Sequence, residues 1–290
     1  VDPASAQHDF TRPPTVRQRF KTWDQRRRLV GTLSMLQWMQ IRLAKKFLGY
    51  EPTTWRVRPR QVKHPLCMRL GDSSDFYVFH QIFEIEQYSI LNDLKDMRFV
   101  LDLGANIGFS SAWFLSRFPD SKIVAVEPDD RNVELCEVNL KPYGSRAKVL
   151  RGAVWSRCTQ LHLVPGVFGD RREWGTQVSE APVTKPTIGI QAWDVAALID
   201  IAGEEAVDLI KIDIEEAELE VFGETANAWL PRVRNICIEL HGPECQKVFF
   251  GALKSYDYEL MYSPDKDLTF CRNLRPKETA SNSPWRKRLY

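Results

Sequence analysis

Residues 99–110 read Phe99-Val100-Leu101-Asp102-Leu103-Gly104-Ala105-Asn106-Ile107-Gly108-Phe109-Ser110. An apolar run of strand length passes through a glycine turn into a helix. Glycine lets the backbone turn sharply and approach a ligand closely, and the helix start presents N–H groups toward the turn. The same alternation continues outward from this unit. Apolar runs recur at 123–126, 148–150, 209–212 and 236–240, with helical stretches at 109–118, 131–140 and 219–229. Near-continuous Val/Ile/Leu strands alternating with helices predict a doubly wound, Rossmann-like α/β domain, its mostly parallel sheet covered on both faces.

Further out, the pattern changes. Segment 153–190, punctuated by Gly166, Gly169, Gly175, Pro182 and Pro186, reads as a hairpin and loop insertion, and 258–262 with 268–273 as an antiparallel edge. Residues 75–79 (DFYVF) read as a short strand before a helix containing Gln81, Phe83 and Tyr88. Residues 1–25 carry Pro3, Pro13 and Pro14 and predict an irregular lead-in. From 25 to 48, Leu29, Leu33, Leu36, Ile41, Leu43 and Phe47 recur at near-helical spacing between Arg26, Arg27, Arg28, Arg42, Lys45 and Lys46. Such a basic amphipathic helix packs on its own domain or lies on a membrane surface. The expected division is a lead-in (1–25), a helical N-terminal extension (26–98), a cofactor-binding domain (99–275) and a basic C-terminal tail (276–290).

With 290 residues, 43% of them hydrophobic, the chain can build a large core without disulfide or metal staples. Its six cysteines form no C-x-x-C pair, which fits a reducing, cytoplasmic compartment. No apolar run reaches membrane-span length, and the polar N-terminus is unlike a signal peptide. The net charge of +2 conceals a division. Residues 1–70 hold 15 Lys/Arg against 4 Asp/Glu, 71–263 hold 18 against 31, and 264–290 hold 7 against 3. Basic ends around an acidic middle pack back on that middle or meet an anionic partner.

Glu127 ends the next strand, 25 positions after Asp102, where a carboxylate can hold two ribose hydroxyls. Dinucleotide and S-adenosylmethionine sites share that arrangement. A dinucleotide fingerprint needs G-x-G-x-x-G to admit a pyrophosphate, whereas here Asn106 replaces the central glycine and the third is missing. A turn with fewer glycines and an Asp at the strand end suits a methionine tail, which needs an acceptor and a few N–H donors.

Four ordered blocks carry a resemblance: residues 100–111 (VLDLGANIGFSS), 126–128 (VEP), 209–218 (LIKIDIEEAE) and 238–241 (IELH). Together they resemble the FkbM-type S-adenosylmethionine-dependent methyltransferases over 75–241. The resemblance implies a class I methyltransferase fold and O-methylation of polyketides, sugars and other small metabolites. It also implies that Asp102, Gly104, Asn106 and Gly108 hold the methionine part, Glu127 with Pro128 the ribose, and Ala153 with Trp155 the adenine. Asp75, Gln81 and Tyr88 match residues the family carries ahead of its glycine turn, where they close the pocket. The family usually reads D-x-E-G-x-E after its fourth strand, whereas Glu216 here occupies the glycine position.

An alcohol needs a base or a metal near the methyl group, and ligands in open sheets lie beyond the carboxyl ends of the strands, where Asp213 and His241 project. An imidazole with an ordinary pKa of about 6.5 accepts a proton at neutral pH. Glu239, two positions before His241, lies on the same strand face and is expected to orient it, with Asp213 as a competing base or a cofactor contact. Glu215, Glu216, His241 and Trp174 are candidate acceptor contacts, Trp174 through a lid-like loop at 170–177. Asp213, Glu215, Glu216 and His241 also suit a magnesium-like divalent ion, but acidic groups at a helix start more often serve its dipole, so no metal is assigned. The expected partner is a small hydroxylated acceptor, with oligomeric state, including a homo-oligomer, left open. A nicotinamide-dependent oxidoreductase, a nucleic-acid methyltransferase using the basic arm and a membrane-associated module remain the alternatives. No D/N-P-P-Y/F/W motif for base amines occurs at the fourth strand.

Overall fold

The computed structural model describes residues 53–70, 73–164, 177–179 and 189–277, with positions 29–31, 36, 39, 40, 43 and 47, which are helical. The lead-in, most of the expected basic helix, the loop bearing Trp174 and most of the C-terminal tail lie outside the described residues.

An antiparallel pair, β1 (Thr54–Val57) and β2 (Leu66–Arg69), precedes a helix, α1 (Asp75–Phe79), a π turn (His80–Glu84) and a 3-10 turn (Gln87–Leu91). Then come β3 (Phe99–Leu103), α2 (Phe109–Arg117), β4 (Lys122–Glu127), α3 (Asp130–Leu140) and β5 (Ala147–Arg151). Four short strands follow, β6 (Ala153–Val154), β7 (Thr159–Val164), β8 (Gln177–Ser179) and β9 (Gly189–Trp193), and then α4 (Val195–Ile201) and β10 (Leu209–Ile212). The rest is α5 (Glu218–Val221), α6 (Ala226–Trp229), β11 (Ile236–Glu239), α7 (Pro243–Ala252), β12 (Tyr256–Tyr262) and β13 (Leu268–Pro276).

Seven strands form one sheet in the order β12-β13-β11-β10-β3-β4-β5. The five from β11 to β5 run parallel, and β13 runs antiparallel to β11 and β12. This is the expected mostly parallel sheet with its antiparallel edge. The insertion is more ordered than a hairpin, because β6, β9, β7 and β8 make a second, four-stranded sheet.

Side chains alternate across a strand, so each central strand feeds two apolar layers. Val100, Ile123, Leu209 and Cys237 face one layer with α2, α3 and the 53–98 segment. Leu101, Val124, Ile210 and Ile238 face the other, against Leu198 of α4, Trp229 of α6 and Phe249 of α7. Each such fully buried aliphatic or aromatic side chain contributes about 1.5–3 kcal/mol.

Two expectations need correction. Residues 75–79 are helical, although their aromatic and β-branched composition suits a strand. A strand would place 75, 77 and 79 on one face, yet Asp75 and Phe79 are buried while Tyr77 is 51% exposed. The buried Asp75 carboxylate explains the turn toward the body, since it accepts from the backbone N–H of Arg69 at 2.6 Å and from its guanidinium at 2.7 Å. The helix expected over 219–229 is two short ones, α5 and α6, separated around Gly223.

The 53–98 segment is stitched to the sheet. Cys67 N donates to Asn139 Oδ1 at 2.6 Å, Asn139 Nδ2 returns a bond to Cys67 O at 2.9 Å, and Arg69 Nη2 donates to Asn132 Oδ1 at 2.8 Å. Phe79 and Phe83 pack on Phe109, and Tyr88 packs on Trp113 and Phe114. These contacts hold residues 75–91 over the carboxyl ends of β3 and β10.

Candidate functional site

An open parallel sheet leaves a crevice where neighbouring connections depart to opposite sides. Here β3 leads by α2 to β4 on one side, and β10 leads to β11 on the other. A cavity of about 300 Å³ lies at that point. The glycine turn brings Gly104 and Asn106 to it, the end of β4 brings Glu127 and Pro128, and β6 brings Ala153. Gln81 and Tyr88 enter from the 75–91 segment, and Asp213, Glu215, Glu239 and His241 from beyond β10 and β11.

Five expected residues do not line it, Asp75 among them because its carboxylate is held by Arg69, and Trp174 lies outside the described residues. Asp102 is wholly buried beneath the turn, where Oδ2 accepts from Ser110 and Ser111 hydroxyls at 2.6 Å each and Oδ1 lies 3.4 Å from Lys211 Nζ. It thereby braces the turn from beneath. Gly108 caps α2 at φ 81, and a Cβ there would meet Cys136 Sγ at 2.9 Å, so its glycine serves helix packing. Trp155 donates its backbone N–H to Trp193 O at 2.9 Å and packs on the core of the small sheet. Glu216 takes φ 71, the left-handed conformation that suits glycine.

Gly104 has a different constraint. At φ 78, a Cβ would lie 1.7 Å from the carbonyl oxygen of Asp213, because the turn and the end of β10 touch backbone to backbone. Lys211 locks the contact. Its Nζ donates to Gly104 O at 2.6 Å and sits 3.4 Å from both Asp102 Oδ1 and Asp213 Oδ2. Burial disfavours the ammonium, but Asp102 and Asp213 outweigh it and hold its pKa above the ordinary lysine value.

The N–H groups of the turn are already engaged. Those of Gly104 and Ala105 donate to Val126 O, Asn106 N to Glu127 Oε2 at 2.8 Å, Ile107 N to Asn106 Oδ1 at 2.7 Å, and Gly108 N to Ala105 O. Glu127 also accepts from Asp129 N at 3.0 Å and Asn132 Nδ2 at 3.2 Å. Burial raises its pKa to about 7 against these three bonds. A carboxylate has about four acceptor positions, so one on Oε2 remains.

At the other end His241 stands among carboxylates. Glu239 was expected to orient it, but the bond is made by Glu218, a residue to which no role was expected from the sequence. The Nδ1–H donates to Glu218 Oε1 at 3.0 Å, while Nε2 lies 4.0 Å from Glu239 Oε1. Glu218 is wholly buried and also accepts from Ile214 N at 3.2 Å and Cys245 Sγ at 3.5 Å, so it fastens the 213–217 loop and the imidazole together. The available signal was its place at the end of the D-x-E-x-x-E run. Nε2 faces Glu215 Oε2 at 3.7 Å and Asp213 Oδ1 at 3.8 Å.

Burial lowers the His241 pKa, but the Glu218 bond and the charges of Asp213, Glu218 and Glu215 raise it to about 10. The ordinary imidazole pKa expected from the sequence is thus corrected, and the ligand-free protein holds an imidazolium. Burial and the neighbouring Asp213 carboxylate push Glu215 to about 7 and Glu239 to about 8, against the opposing His241 charge.

The sequence matches the family described as the methyltransferase FkbM domain over residues 102–264. The AMB antimetabolite synthetase AmbE of Pseudomonas aeruginosa is 29% identical over 201 residues, covering 57% of this chain and 9% of that protein. Methyltransferase sdnD of Sordaria araneosa is 27% identical over 195 residues, covering 58% of this chain and 75% of that protein. The 2-O-methyltransferase NoeI of Sinorhizobium fredii is 27% identical over 139 residues, covering 42% of this chain and 55% of that protein. The chain thus spans a small part of AmbE and about half of NoeI. No helix among the described residues is long and apolar enough to cross a membrane. Since the family match takes in more than half of the chain, and its motif blocks converge on one end of a Rossmann-like sheet, this chain belongs to the FkbM methyltransferase family.

Proposed function

We propose that the chain is an S-adenosylmethionine-dependent O-methyltransferase acting on a hydroxyl of a small metabolite, sugar or polyketide. The observation that carries this reading is the cavity at the β3/β10 switch point, which joins the Gly104 turn and Glu127 to an imidazole ringed by carboxylates. The name of NoeI supports oxygen as the acceptor atom.

The donor set fits the cofactor's charge. Asp213, Glu215 and Glu239 face the cavity, and its lysine, Lys211, is already paired with Asp102. Such a site favours an ammonium and a sulfonium and disfavours a pyrophosphate, which would also find the N–H groups of the turn occupied. When bound, S-adenosylmethionine supplies a methyl carbon on a positively charged sulfur. Glu127 would hold the ribose through Oε2, Ala153 the adenine, and Asp213 with Asn106 the methionine part. Gln81 and Tyr88 close the pocket.

His241 takes the acceptor's proton at Nε2 while Glu218 holds Nδ1. A cation beside Asp213 and Glu215 offsets the field that keeps the ring protonated, so Nε2 becomes available once the site is filled. Alignment of the acceptor by the cavity is the larger effect, about 7–11 kcal/mol, against about 10²–10⁴-fold for a base. The ligand atoms of Asp213, Glu215 and His241 lie within 4.8 Å of one another, which favours a second reading with a divalent ion in place of the base. Activity abolished by chelation and restored by magnesium would select it. Six unpaired thiols support a reducing, cytoplasmic setting.

Calorimetry with S-adenosylhomocysteine, run beside NAD, tests the cofactor. Micromolar binding of the former alone supports the reading, and NAD binding alone overturns it. With an acceptor found, His241→Ala should spare cofactor affinity and lower turnover by up to about 10⁴-fold.

A further inference from the structure

The apolar positions spaced through 29–47 take no part in the cavity. Where they begin, they belong to the body of the protein. Val30 is buried in one core with Trp55, Val57 and Val62, Leu29 packs against that core, and the Leu29 carbonyl accepts from Arg60 N at 3.0 Å. Further on they come out of cover. Leu36, Met39, Leu43 and Phe47 are helical and are 48%, 46%, 51% and 71% exposed. Their spacings are three, four and four residues, so at 3.6 residues per turn they fall within about 80° of one another, and Leu29 shares that side. Single exposed apolar side chains are ordinary, but four on one side of a helix make a patch of the kind that marks a contact surface.

Cations border the same place. Residues 53–70, against which the helix start is packed, contain no Asp or Glu. Arg56, Arg58, Arg60 and Lys63 are exposed there, and none of them makes an ion pair among the described residues. Their field reaches His64, whose pKa is lowered by burial and then by Lys63, Arg58 and Arg146. The sequence sets Arg42, Lys45 and Lys46 between the apolar positions as well.

We propose that Leu36, Met39, Leu43 and Phe47, with Arg56, Arg58, Arg60 and Lys63, form a docking surface for an anionic lipid bilayer. The apolar stripe enters the boundary of the acyl chains while the cations meet the headgroups. A bilayer offers both an anionic layer and an apolar one beneath it. A nucleic acid would leave an aliphatic stripe unused, and a second copy of the chain would bring like charges together. None of these residues lines the cavity, so the inference stands independently of the cofactor.

The test is sedimentation of the full chain with vesicles of phosphatidylcholine alone and of phosphatidylcholine with about one third phosphatidylglycerol, at low and high salt. The protein should bind the anionic vesicles at least about tenfold more tightly than the neutral ones, and high salt should weaken that binding severalfold. Met39→Glu and Leu43→Glu should each weaken it by about 10- to 100-fold and leave the melting temperature unchanged. Arg58→Ser and Arg60→Ser should each weaken it by about fivefold, and these arms decide the matter should the stripe variants fail to fold. Equal binding to both vesicle types, binding to neither, or full binding by Leu43→Glu overturns the proposal. So does a lowered melting temperature in Leu43→Glu, which would mean that the protein itself covers the stripe. Self-association that Leu43→Glu abolishes, without vesicle binding by the wild type, would overturn it in favour of a second copy.

Discussion

Glu216 and its neighbour Glu215 both hold positive φ, at 71° and 51°. An L side chain in that region costs roughly 1–2 kcal/mol per residue, which accounts for the family's glycine at the first of these positions. Glu216→Gly should therefore stabilise the protein by about 1 kcal/mol, read as a higher urea midpoint with an unchanged slope. A lower midpoint would mean that the Glu216 side chain contributes more than the strain costs. The ionisable groups of the cavity make a second prediction. Glu127 and Glu215 at about 7, Glu239 at about 8 and His241 at about 10 all bind protons more tightly folded than unfolded. Where the folded state carries more protons, stability falls as pH rises. The His241 contribution is complete below its unfolded value of 6.5 and lost as pH passes about 10. Those of the three glutamates are complete below 4.5 and are lost progressively above it, until pH passes about 7 for Glu127 and Glu215 and about 8 for Glu239. The melting temperature of the ligand-free protein should fall from pH 6 to pH 9, and a rise over that range would contradict the assignment.

At the scale of elements, the joint between the Gly104 turn and β10 is the feature on which the site depends. Lys211 is the counter-ion of wholly buried Asp102 and the donor to Gly104 O. Lys211→Met should cost about 3–5 kcal/mol by leaving Asp102 unpaired, and adding Asp102→Asn should restore part of that stability in chemical denaturation. The central strands were legible because a parallel strand buried on both faces must be apolar throughout, as residues 99–103 and 209–212 are. Residues 75–79 were not, because their aromatic composition suits a strand and only the Asp75–Arg69 contact shows otherwise. The counter-ion of Asp102 was not legible, because Lys211 lies in another strand. Glu218 carries no local signal of comparable strength, because its role arises only when α5 meets the end of β11.

Across the whole molecule, the cavity walls come from segments distant in sequence, and a ligand would tie them together. Saturating S-adenosylhomocysteine should slow hydrogen exchange in 75–91, 104–110 and 213–217 while leaving β12 and β13 unchanged, as mass spectrometry of deuterated peptides would show. Uniform protection, or none in 75–91, would remove that segment from the site. The pairing of Lys211 with Gly104 spans 107 residues. At about 5–20 residues per second, a ribosome takes roughly 5–20 s to travel from one to the other. For that interval the nascent chain carries Asp102 without its counter-ion and a glycine turn with nothing to rest against. The central pair of strands can close only after β10 has emerged, and His241 emerges later still. Synthesis thus delivers the parts of the site in an order that postpones its assembly until most of the chain has been made.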